Sequence, residues 1–136
     1  MSGDAEDQTA GDMGTRSWPT EIRLRKEEKR LEVDFDDGAS FSLPAEYLRV
    51  HSPSAEVQGH APSQRQTVGG RMHVGILSLE PVGHYAVRIV FDDLHDSGIF
   101  TWNYLYELGA EQAERWAAYL EELAAKGMSR DPRSGR

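Results

Sequence analysis

Two stretches of this chain, LEVDFDDGASFSLPAEYLR (Leu31–Arg49) and AVRIVFDDLHDSGIFTWNYLYEL (Ala86–Leu108), follow one plan. Each has an alternating strand, an FDD turn, a return strand and a short helix carrying Tyr-Leu. A period of two sends neighbouring side chains to opposite faces. Leu31, Val33 and Phe35 therefore share one face, and Glu32, Asp34 and Asp36 the other. Asp37-Gly38 between alternating runs is a hairpin signal, because such a turn needs positive φ. Phe41 and Leu43 form the return strand, and Pro44 suits the first turn of the helix that follows. The second copy reads as having a turn two residues longer. Two copies are too few for a solenoid. The pattern predicts an α+β domain: two hairpin-plus-helical-turn units in a mostly antiparallel sheet, with a C-terminal amphipathic helix.

The flanking segments fit that plan. Ile22 and Leu24 alternate with Glu21, Arg23 and Arg25 ahead of a polar turn at Lys26–Lys29. A helix over Arg23–Glu32 is the competing reading, since Arg, Lys, Glu and Leu all favour helix. Val74–Leu79 reads as a strand turned by Pro81-Val82-Gly83. Tyr85, Val87, Ile89 and Phe91 alternate after it, and Ile99–Trp102 follows as another strand. Gly109 is expected to terminate the helix NYLYEL. In a helix over Glu111–Lys126, Trp116, Tyr119, Leu120 and Leu123 fall on the side expected to pack against the sheet. Residues 1–17 are acidic with little to bury and are expected as a disordered tail, as are 129–136. The folded domain is expected over 18–128. Between Val50 and Arg71 lies a long stretch without periodicity, a length that tends to be functional or mobile and the first place to look for a site.

At 136 residues, one domain is the default. The formal net charge of -8 excludes generic phosphate neutralisation and docking on anionic lipid, so neither nucleic acid nor membrane is an expected partner. No apolar run approaches the roughly 20 residues of a membrane span. The first fifteen residues have no apolar core of a secretory leader, and the expected compartment is cytoplasmic. With no cysteine, disulfides, thiolate catalysis and cysteine-held zinc or iron–sulfur clusters are excluded for this chain alone.

Catalytic signals are absent. There is no GxxxxGK[ST], and no GxGxxG follows a strand; Gly69-Gly70 is an isolated loop pair. His51, His60, His73, His84 and His95 include no i, i+4 pair on a helix and no His-x-Asp or His-x-Glu. His95-Asp96-Ser97 cannot act as a relay, because base and nucleophile must meet through space. The pairs Asp36-Asp37 and Asp92-Asp93 sit where turns favour Asp anyway. Arg23, Arg25, Lys26, Lys29 and Arg30 are interleaved with Glu27 and Glu28 and read as a solvated face.

The residues FDDGASFSLPAEYLRVHSPSAEV and ILSLEPVGHYAVRIVFDDLHDSGIFTWNYLYEL resemble the gamma-butyrobetaine hydroxylase-like N-terminal domain family, over about Thr20–Leu108. The chain is similar to its stand-alone bacterial members. The same domain precedes the catalytic domain of 2-oxoglutarate-dependent hydroxylases and is fused to some scaffold ATPases of iron–sulfur cluster assembly. In the hydroxylases, the resemblance implies a structural zinc on three cysteines and a histidine. Those thiolate positions fall here on Ser52, Ser54 and Val57, and the histidine on His95. Hydroxyls and an isopropyl group do not replace thiolates. The iron and 2-oxoglutarate site belongs to the hydroxylases' other domain.

The expectation is therefore a non-enzymatic accessory or interaction domain without a cofactor, binding a protein partner or small ligand. Arg49, His51, Ser52, Ser54, Asp93 and His95 are its candidate interaction surface. The alternative is a zinc- or iron-handling domain, with His95, His51 and Glu56 as its candidate ligands.

Overall fold

A computed structural model describes residues 17–53, 67–93 and 98–132. Strands β1 (Pro19–Arg25), β2 (Arg30–Phe35) and β3 (Ser40–Pro44) form one antiparallel sheet in that order, followed by helix α1 (Ala45–Val50). Strands β4 (Ile76–Val82), β5 (Ala86–Phe91) and β6 (Gly98–Thr101) form a second, followed by α2 (Trp102–Ala110) and α3 (Gln112–Ala125). The molecule is thus an α+β domain of two meander-plus-helix units with a C-terminal helix. Each first strand carries a register irregularity, at Pro19/Glu21 and at Ile76/Ser78. Such bulges protect exposed sheet edges.

Period two decides the central strands. Leu31, Val33 and Phe35 of β2 are buried, as are Val87, Ile89 and Phe91 of β5. The helical alternative over Arg23–Glu32 fails because Ile22 pairs with Val33 and Leu24 with Leu31, while Arg23 reaches both Glu32 and Asp34 at 3.0 Å. Those ion pairs need the cross-strand spacing of a sheet. The basic face is thereby compensated strand by strand. At the hairpin, Gly38 takes φ 91.

The two units lock together by reciprocal contacts. Tyr47-Leu48-Arg49 of α1 corresponds to Tyr104-Leu105-Tyr106 of α2, and Leu48 and Leu105 are both fully buried. The Tyr47 hydroxyl donates to the Leu108 carbonyl at 2.6 Å, and the Tyr104 hydroxyl to the His51 carbonyl at 2.6 Å. Last-turn carbonyls have no partner within their own helix. Each tyrosine therefore satisfies the helix end of the other unit. The second Asp of each FDD turn is treated alike: Tyr106 donates to Asp37, and Arg49 to Asp93. Four residues, 36–39, separate β2 from β3 and six, 92–97, separate β5 from β6, so the second turn is two residues longer. Its return strand is one residue shorter, which leaves Tyr104 one position further from Phe91 than Tyr47 is from Phe35.

Several local expectations change. Gly109 lies inside α2, which continues to Ala110; its hydrogen faces the Phe41 ring, where a Cβ would overlap. Pro81 and Val82 are in β4, and the turn begins at Gly83 with φ 54. Tyr85 precedes β5 and is exposed. On α3, Tyr119 and Leu123 are buried and Trp116 partly so, but Leu120 is 40% exposed, because the helix covers the core over a narrower arc than the stripe. Of the expected tail 129–136, residues Ser129 and Arg130 are bonded to Gly70 and Met72. Residues 1–16 and 133–136, expected as tails, lie outside the described residues.

Candidate functional site

The end of α1 meets the turn after β5 at a charged corner. Tyr47 and Leu48 face the core, which carries Arg49 inward at the adjacent helical position with its side chain 2% exposed. Its Nε donates to Asp93 Oδ2 at 2.8 Å. Arg71 Nε lies 2.8 Å from the same oxygen, an ion pair out of hydrogen-bond alignment. Asp93 thus sits between two guanidinium groups, one interior and one partly solvated. A buried guanidinium is tolerated only when such a counter-charge accompanies it.

The equivalent corner of the first unit is chemically plainer. Asp37 accepts from the Tyr106 hydroxyl and the Ala39 amide. Both contacts hold its carboxyl below the ordinary carboxylate range, the tyrosine most. The second corner replaces a neutral phenol by two cations. It is also where residues 54–66 and 94–97 join the described chain.

His51 and Ser52, expected on an accessible surface, are interior, and so is Arg49. The ring of His51 packs 4.7 Å from that of Tyr47, and its Nδ1 donates to the Tyr47 carbonyl at 3.0 Å. Ser52 is fully buried with its Oγ directly against Gly98. This contact is the counterpart of Phe41 on Gly109, with the small residue on the opposite partner. The structure therefore brings Arg49, His51, Ser52 and Asp93 to one corner, but only Asp93 retains solvent access. Ser54, Glu56 and His95 lie outside the described residues. Arg71 was missed by the sequence reading; its position at the far end of the long irregular stretch gave no signal.

The zinc implied by the family resemblance does not fit these residues. The first thiolate position is a buried serine hydroxyl packed on a glycine, and His51 Nδ1 is engaged by a carbonyl. Among the described residues, no group of three or more His, Cys, Asp or Glu could hold a metal ion. Among the same residues, no helix is long and apolar enough to cross a membrane.

Residues 22–106 match a family described as gamma-butyrobetaine hydroxylase-like, N-terminal. One NMR solution structure is 51% identical with TM-score 0.74, covering 85% of this chain and 91% of the other. A second is 42% identical with TM-score 0.76, covering 88% and 89%. A crystal structure of a protein of unknown function from Acidithiobacillus ferrooxidans, of the DUF971 family, is 44% identical with TM-score 0.58, covering 68% and 93%. None of the curated proteins matches the chain.

Proposed function

The chain belongs to the gamma-butyrobetaine hydroxylase-like N-terminal domain family, and from that premise we propose that it works as a non-enzymatic interaction domain. Its docking corner is Asp93 with Arg71, backed by the interior Arg49, and the occupant is a protein partner. The observation that carries this reading is the broken symmetry between the two units. Asp37 is held by a phenol and an amide, whereas the matching Asp93 is held by two arginines at 2.8 Å. Holding one carboxylate with two cations, one of them interior, exceeds what closing a turn requires. A partly solvated Arg71, its Nη1 donating to the Gly69 and Gly70 carbonyls, stands beside a fixed carboxylate, and the pair offers a cation and an acceptor edge to a polar partner group.

Capture from a cell extract on the immobilised full chain tests it, with Arg71→Ala and Asp93→Asn beside the unaltered protein and an amide spectrum confirming that each is folded. Loss of the same captured proteins in both variants supports the corner. Undiminished capture by both would overturn it.

A further inference from the structure

We propose that the cleft beside Glu46 and Trp116 is a guanidinium-recognising pocket, filled in cis by Arg130 and open by exchange to an arginine side chain of a partner protein. Glu46 and Trp116 are distinct from Arg71 and Asp93, although the strap carrying Arg130 is bonded on both sides of Arg71. The pocket is read at Trp116 and the corner by capture at Asp93, so either reading can fail without the other.

Glu46 stands in the first turn of α1 with its side chain only 8% exposed. Arg130 Nε donates to its Oε2 and Arg130 Nη2 to its Oε1, both at 2.8 Å. The guanidinium carbon lies 5.2 Å from the centre of a Trp116 ring. A carboxylate taken by both oxygens, with an aromatic face above, is a combination that suits a planar fork and not a point-charge ammonium. The first unit carries this acid where the second has the neutral Asn103, so the position does not need a charge to fold. The cleft extends past the guanidinium as a space of about 240 Å³ lined also by Pro44, Tyr47 and Gln112.

Arg130 reaches this pocket on a segment without helix or strand. Among the described residues, two backbone bonds tie it to the segment 70–72: Gly70 N–H to the Ser129 carbonyl and Met72 N–H to the Arg130 carbonyl. The Gly69-Gly70 pair permits the approach, since a Cβ on Gly69 would sit 2.8 Å from the Ser129 oxygen. A strap without helix or strand can exchange, but Glu46 is not left without a cation in an interior position, because an unpaired interior carboxylate is strongly disfavoured. Whatever displaces the strap must therefore bring a guanidinium of its own. The net charge of -8 favours the approach of such a basic partner.

The test uses the full chain as Arg130→Ala, with Nα-acetyl-arginine methylamide as probe and the Trp116 indole resonance as readout. The probe should bind the variant about tenfold more tightly than the unaltered chain, and the lysine analogue should bind at least about fivefold more weakly than the arginine probe. Adding Glu46→Gln to the variant should abolish the response. If Arg130→Ala does not fold, Arg130→Lys serves as the acceptor, since an ammonium cannot fork both oxygens of Glu46. No movement of Trp116, or a response that survives Glu46→Gln, overturns the pocket. A dimer of the unaltered chain that disappears on Arg130→Ala would assign the arginine to a second copy and overturn the partner.

Discussion

The Tyr47 hydroxyl sits 2.6 Å from the carbonyl oxygen of Leu108, 61 residues further along the chain. That bond ties the first unit's helix to the end of the second unit's helix, and Tyr104 returns it at His51. Tyr47→Phe keeps the ring in the core and leaves one helix-end carbonyl unmet. It should cost about 1–2 kcal/mol in urea unfolding, and Tyr104→Phe a similar amount. A loss in one variant and none in the other would contradict the reciprocity.

Gly109 gives a prediction of reversed sign. Gly→Ala inside a helix ordinarily gains up to about 1 kcal/mol from propensity. Here a Cβ would enter the Phe41 ring, so Gly109→Ala should instead lose about 1–3 kcal/mol through overpacking. Combining it with Phe41→Leu should recover part of the loss beyond additivity in a double-mutant cycle. A stabilised Gly109→Ala would refute the packing.

Much of this architecture was legible because both signals for it are local. The alternation of Leu31, Val33 and Phe35 and the Asp37-Gly38 turn need only neighbours in sequence to be read, and the recurrence of FDD at 35–37 and 91–93 then shows the second unit. The corner was half legible: Arg49 and Asp93 stand at equivalent landmarks of the repeat, whereas Arg71 carries no periodic or turn signal. Burial was misread at His51 and Ser52, because polar residues after a helix look solvated until the Gly98 strand is placed against them. Gly109 was misread for a similar reason. A glycine near a helix end looks like a terminator, and only the opposite sheet reveals that it makes room for a ring.

Asp93→Asn removes the charge that Arg49 faces and keeps the shape. An interior guanidinium left without its counter-ion costs about 3 kcal/mol when fully enclosed. The partial solvation of Asp93 should reduce the effect to about 1–2 kcal/mol. Arg49→Met in the same chain should restore part of that loss, because it removes the interior charge along with the carboxylate it faces. Thermal unfolding of the three variants decides it: a double variant no more stable than Asp93→Asn would show that the cost lies elsewhere.

Alkaline pH should unfold the domain through its interior tyrosines. Burial pushes the Tyr119 phenol up to about 12, with the Glu46 carboxylate adding to the rise, and burial pushes Tyr47 up as well. In the unfolded chain both ionise near pH 10. A pKa raised by folding means that the stability is fully present below about pH 10 and is lost as pH climbs toward 12, because over that window the unfolded state releases protons that the folded state retains. Tyr119 also donates to the Val68 carbonyl at 2.6 Å, a bond that only the neutral phenol makes. Tyr119→Phe should therefore be less stable than the unaltered chain near neutrality by about 1 kcal/mol, yet lose less stability between about pH 9 and 11.5. Denaturant midpoints measured across that range check the prediction, and parallel curves for the two proteins would show that Tyr119 is not what titrates.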